Sequence, residues 1–208
     1  IMVVMGGRVI PMFTMNGVPG VFCLRLPWIE RLAPGSVLLL LAADVLVAPA
    51  MIIGPLAAAA AMIHAARLAL WRPWRTFRTP LVWILHCAYA WIALALALRA
   101  LAAWDLVPAS LAIHALTVGA IGGLTLGMMT RTSLGHSGRP LQAGRAEVFC
   151  YAVIQLAALT RVFLPLAFPQ LYLEAIVGSG LLWSAAFGVF TVAYWPILTR
   201  PRVDGKPG

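Results

Sequence analysis

The 208-residue chain is 62% hydrophobic and only 10% charged, with a mean hydropathy of +0.95. Soluble domains are about half apolar and a quarter charged, and a domain of this size leaves too much surface in water to hide such an excess. A soluble enzyme and a disordered chain are both excluded, and the composition predicts an integral membrane protein.

The net charge of +9 does not point to nucleic acid, because the arginines fall in short segments between apolar runs rather than on one soluble face. Cys23, Cys87 and Cys150 are odd in number and widely spaced. They form no disulfide framework and no CxxC motif, and read as small apolar residues.

In chain order, the run IMVVM gives a helix stub over 1–7. No basic leader with a small-residue cleavage site accompanies it, so the stub reads as the tail of a truncated helix and the chain as the C-terminal part of a longer protein. A polar segment with Arg8, Arg25 and Arg31 follows. Crossing the hydrocarbon core takes roughly 20 apolar residues, and the candidate spans are 36–50, 54–71, 80–102, 106–130, 147–166 and 171–198. The first two read as separate helices broken near Pro49, Gly54 and Pro55, because that division places all basic residues except Arg99 and Arg161 on one side of the membrane. Such a bias marks the cytoplasmic face and puts the polar tail PRVDGKPG at 201–208 there. Trp28, Trp71, Trp74, Trp104 and Trp195 fall near span ends, as an interfacial belt requires. The predicted fold is all-α: one polytopic transmembrane helical bundle over 1–208, with six full spans plus the stub.

Ionisable residues inside a membrane are costly and mark function. His64 and His86 lie equally far in sequence on either side of Arg75, in the loop joining two antiparallel helices. At about 1.5 Å per residue both imidazoles reach one level, a turn or two inside the cytoplasmic boundary. At 100° per residue His64 shares its face with Ala57 and Ala60, and His86 with Ala90, Ala93 and Ala97. Two level histidines above small-residue walls suit a flat macrocycle ligated on its faces, as in a bis-histidine haem, with Arg67 near a propionate. They equally suit an alanine-rich pair of helices whose histidines hydrogen-bond across the interface or line a wet cleft. Tyr89, one turn from His86, reads as a hydrogen-bonding neighbour or an ordinary buried tyrosine.

His114 is too near the outer end of its helix to join that pair. It needs a partner from elsewhere, or holds copper with other Met or His ligands. Gly119, Gly123 and Gly127 form a small-residue stripe on the opposite face, where another helix can approach closely. Asp44 and Glu174 read as lying near water or pairing locally. Arg131, His136 and Arg139 crowd the end of the same helix beside Gly135 and Gly138. They act either as a cationic cap on the helix C-terminus or as a clamp for an anion or propionate.

The segments GGRVIPMFTMNG at 6–17, PLVWILHCAYAW at 80–91, HALTVGAIGGLTLGMMTRTSLGHSGRPL at 114–141 and YWPILTRPRVDGKPG at 194–208 closely resemble successive signatures of the NnrS family. The resemblance covers nearly all of the chain, but only the C-terminal half of a typical member of about twelve spans. It implies a bacterial inner-membrane protein containing haem and copper, linked to nitric oxide metabolism and nitrosative stress. Its partners would be the lipid bilayer, nitric oxide or a related small molecule, and the N-terminal half of the same protein, whose histidine motifs are missing here. The family's polar positions present in this chain are Arg8, His64, His86, His114, Arg131, His136 and Arg139. A transporter or channel using the histidines as a proton or ion relay is the alternative. No nucleophile–base constellation or phosphate loop appears, which excludes hydrolases and ATPases.

Overall fold

A computed structural model describes residues 1–205; Lys206, counted above among the basic residues of the tail, lies outside them. The described residues form seven helices and no strand: α1 (Met2–Gly17), α2 (Pro27–Val45), α3 (Ala50–Leu70), α4 (Pro80–Ala102), α5 (Ala109–His136), α6 (Arg145–Ala167) and α7 (Tyr172–Thr199). Within α5, residues Ala115–Ile121 are wound as a π-helix. The all-α membrane bundle read from the sequence is therefore the fold.

Five helices, α3 through α7, are long and apolar enough to cross a membrane, against the six spans expected. The difference lies in α2. It has 19 residues, but Glu30, Arg31 and Asp44 are among them. Both carboxylates are matched from neighbouring helices, Glu30 by Arg67 of α3 and Asp44 by Arg99 of α4. Charges so paired can sit in apolar surroundings that an isolated charge could not enter.

The helix expected over 36–50 starts at Pro27 and stops at Val45, and the stub expected over 1–7 runs on to Gly17. Pro27 occupies the first turn of α2, where the missing N–H costs nothing. Pro11 and Pro34 lie inside their helices, which hold around them as membrane helices do. The break between α2 and α3 falls at residues 46–49, where Val47 adopts φ 51° and Pro49 leads into α3.

Consecutive helices pack side by side, α2 on α3, α3 on α4 and α6 on α7. α4 is the hub, touching α1, α3, α5 and α6, and is the most buried of the five apolar helices. The stripe of small residues on α5 faces it: a Cβ at Gly119 would run into Trp91, one at Gly123 into Ala88, and one at Gly127 into Leu85 and Ile84. Outside, the bundle is apolar, with Leu38, Leu39 and Leu41 of α2 and Leu173, Leu181 and Val192 of α7 all exposed. Water would reject that surface; acyl chains accept it.

Candidate functional site

The inward face of α3 carries Ala57, Ala60, His64 and Arg67, spaced at three or four residues and all buried. α4 places His86 and Tyr89 one turn apart on its own inward face. α1 closes the third side with Gly6, Gly7 and Thr14. A Cβ at Gly7 would overlap the Arg67 guanidinium, and one at Gly6 would come within 3.3 Å of the Tyr89 ring. The motif GGR at 6–8 thus opens the space that a buried arginine and tyrosine fill.

Arg67 organises half of the site. Its Nη1 donates to the Val3 carbonyl at 2.9 Å and to the Tyr89 hydroxyl at 3.0 Å. Its Nε donates to Glu30 at 3.3 Å, and its Nη2 pairs with the other oxygen of that carboxylate. Glu30 is also 3.6 Å from Arg25. Because the Tyr89 oxygen accepts from Arg67, its proton goes to His64 Nδ1, 2.7 Å away. His64 Nε2 then carries the hydrogen and donates to the Ala33 carbonyl at 3.1 Å. Both nitrogens of this fully buried ring are used.

His86 differs. The Thr14 hydroxyl donates to the Ile10 carbonyl at 2.7 Å, so it accepts from His86 Nε2 at 2.8 Å. This fixes the tautomer and leaves the Nδ1 lone pair of a buried imidazole without a partner. The Trp71 indole N–H is likewise buried and unpartnered. Ring contacts run from His64 to Tyr89 (5.7 Å between centroids), from Tyr89 to Trp71 (4.7 Å) and from Trp71 to His86 (6.4 Å). The two histidines are therefore gathered into one buried network, joined through filled space. Trp71, expected in the interfacial belt, is fully buried within it, whereas Trp28, Trp74, Trp104 and Trp195 are exposed.

The other expected residues lie apart. His114 accepts a hydrogen bond at Nε2 from Arg161 at 2.6 Å. Arg131 is buried with its guanidinium 3.7 Å from the centre of the Phe13 ring. His136 is exposed, and Arg139 is half-buried with Nη1 unpartnered. Among the described residues no hydrogen bond joins any two of Arg131, His136 and Arg139. The turn beyond α5 is tied down instead by the tail. Val203 N–H donates to the Ser137 carbonyl at 3.1 Å, while Gly138, at φ 73°, lies where a Cβ would meet Asp204. Glu30, Thr14 and Trp71 were not read as site residues, and Glu30 had no local signal because its partner is 37 residues away.

A family model described as NnrS protein matches residues 1–202. The chain belongs to the NnrS family. No curated protein and no solved structure matches it. At family level this is a nitric oxide-related membrane protein, and the motifs quoted for the resemblance supply Gly7, Thr14, His86 and Tyr89 to the buried network. The cofactors that NnrS membership implies meet that network unevenly. His64 has no free nitrogen, and the space from it to His86 is taken by Tyr89 and Trp71, so a haem held between the two does not fit. Arg67 is committed to Glu30 rather than to a propionate. Among the described residues no three His, Cys, Asp or Glu side chains come together to hold a metal ion. Only the Nδ1 lone pair of His86 has the character of an open ligand within the network.

Proposed function

We propose that this chain is part of a bacterial inner-membrane protein of nitric oxide metabolism that protects against nitrosative stress, with its C-terminal tail in the cytoplasm. The observation that carries the reading is the NnrS family match over residues 1–202. The physical setting supports it, since nitric oxide is small and apolar and concentrates in the bilayer that surrounds these helices. Haem and copper belong to the reading through family membership alone. Within this chain His86 is the residue best suited to meet such a group, through Nδ1, and the remaining ligands would come from other parts of the full-length protein.

Membranes carrying the full-length protein should consume nitric oxide faster than membranes without it, and the purified protein should show a haem absorption band. His86→Ala should remove or shift that band with insertion intact, whereas His64→Asn should keep it. A full-length protein with no chromophore, no bound metal and no effect on nitric oxide loss would overturn the reading. A second reading, a proton relay, draws on the buried hydrogen bond between Tyr89 and His64, beside the Arg67–Glu30 pair. Proton flux into liposomes, abolished by Tyr89→Phe, would favour it.

A further inference from the structure

Arg161 stands out electrostatically. It lies within α6, a helix long and apolar enough to span the membrane, yet no carboxylate pairs with it among the described residues. Two other arginines set among the helices are paired with carboxylates, Arg67 with Glu30 and Arg99 with Asp44, and Arg131 lies 3.7 Å from the centre of the Phe13 ring. Arg161 has weaker company. Its Nη2 donates to the neutral His114 ring, and its guanidinium stands 5.7 Å from the centre of the Tyr172 ring. Its Nη1 is buried and makes no hydrogen bond. A cation with an orphaned donor in low dielectric is expensive unless something negative completes it.

The surroundings provide the room. A cleft of about 340 Å³ is lined by His114, Arg161, Ser179, Trp183 and Ser184 among others. Because His114 Nε2 accepts from Arg161, its Nδ1 carries the hydrogen, so the cleft wall bears donors in the guanidinium, the imidazole, two hydroxyls and an indole. No carboxylate lines it. The π-helical stretch of α5 begins directly after His114, and such segments widen a helix at ligand sites. His114 lies one to two turns from the start of α5, and Arg161 a similar distance from the end of α6. That depth is the boundary between headgroups and acyl chains on the membrane face opposite the α3–α4 loop.

We infer that the cleft between His114 and Arg161 is an oxyanion-binding site, in which the Arg161 guanidinium donates to a phosphate-like or nitrite-like oxygen and His114 and the two serines complete its coordination. A guanidinium suits such a planar or tetrahedral acceptor better than a point charge would. The oxyanion is either the phosphate of an anionic phospholipid or a small free anion entering from water. This inference stands independently of the haem and nitric oxide reading.

The test uses the full chain reconstituted in phosphatidylcholine nanodiscs. One arm titrates sodium nitrite and inorganic phosphate while following the fluorescence of Trp183, with Trp183→Phe to identify the signal. The other arm adds phosphatidylglycerol and counts retained lipid by native mass spectrometry. Saturable binding in the first arm assigns a free anion, and selective retention of phosphatidylglycerol in the second assigns a lipid. In either case Arg161→Gln should weaken binding about tenfold or more, as losing a charge-assisted hydrogen bond does. Arg161→Lys should keep part of it, and His114→Gln should weaken it less. Arg78→Gln, an exposed arginine of the α3–α4 loop, should leave it unchanged. Binding in neither arm, or binding equally reduced by Arg78→Gln, overturns the assignment.

Discussion

Gly7 of α1 and Arg67 of α3 compete for one volume: the position a Cβ would take on the glycine is already occupied by the guanidinium. Arg67 cannot withdraw cheaply, since it is buried and bound to Glu30, Tyr89 and the Val3 carbonyl. Gly7→Ala should therefore destabilise the folded protein by about 1–3 kcal/mol, the usual range for overpacking a filled interior. Thermal unfolding in detergent should show the loss. Gly35→Ala, where a Cβ meets nothing, is the matched control and should leave the transition in place.

The Glu30–Arg67 pair is the electrostatic centre of the same region. Removing the carboxylate in Glu30→Gln leaves a buried cation whose nearest compensation is gone, and Arg25 too loses its partner. The expected cost is about 3 kcal/mol. Replacing both residues, Glu30→Gln with Arg67→Gln, should cost less than the sum of the single changes, because neither variant then strands a charge. Full additivity in unfolding measurements would show that the two side chains act independently.

Tyr89 joins the two halves of the network, accepting from Arg67 and donating to His64. Tyr89→Phe keeps the ring packed at a tilt beside Trp71 but leaves His64 Nδ1 and one Arg67 donor unmatched. That should cost about 1–3 kcal/mol for the orphaned groups. Tyr194→Phe offers a comparison: it too removes a buried tyrosine hydroxyl, the one bonded to Glu147, but far from the histidines. Both variants should lower the unfolding temperature, and only Tyr89→Phe should also perturb the His64 ring signals in an NMR spectrum.

The histidines were legible in the sequence because a polar residue inside an apolar run stands out, and their shared depth followed from hairpin geometry. Their partners were not. Glu30 belongs to a stretch whose prolines, glycine and charges mimic a loop, and only after α2 is seen to begin at Pro27 does it face Arg67. Trp71 has the position of a belt tryptophan, and nothing local tells that its indole turns inward against His86. His114 and Arg161 could each be identified as an oddity, but 47 residues separate them, so their hydrogen bond is a property of helix packing. The stripe of Gly119, Gly123 and Gly127 was readable as a contact face, since the need for close approach is written into residue size; that α4 is the neighbour was not.

That stripe yields a direct expectation for membrane packing. Gly119 lies against Trp91, and Gly123 against the Cβ of Ala88. Gly123→Leu should push α5 away from α4 and lower stability by about 2 kcal/mol or more, since overpacking and lost van der Waals contact add. Gly180→Leu, at a position where a Cβ meets nothing, should be tolerated. Cross-linking between cysteines placed on the outer ends of α4 and α5 should fall in the first variant and hold in the second.

Cys23, in the segment between α1 and α2, provides a pH-dependent probe. It is buried, its Sγ donates to the Trp71 carbonyl at 3.4 Å, and burial raises its thiol above the ordinary value of 9.0. The Thr14 hydrogen bond and the charge of Arg72 pull the other way by less. The folded state therefore favours the protonated thiol. Its contribution to stability is fully present below the unfolded pKa and disappears as pH rises through the folded one. Reaction with a maleimide requires thiolate and access. In a Cys87→Ser, Cys150→Ser background, labelling at pH 7.5 should be about tenfold or more slower than for the unfolded chain. It should accelerate only as the pH passes the ordinary thiol range. Fast labelling at neutral pH would mean that the α1–α2 segment opens readily, exposing Thr14 and with it the hydrogen bond that fixes the tautomer of His86.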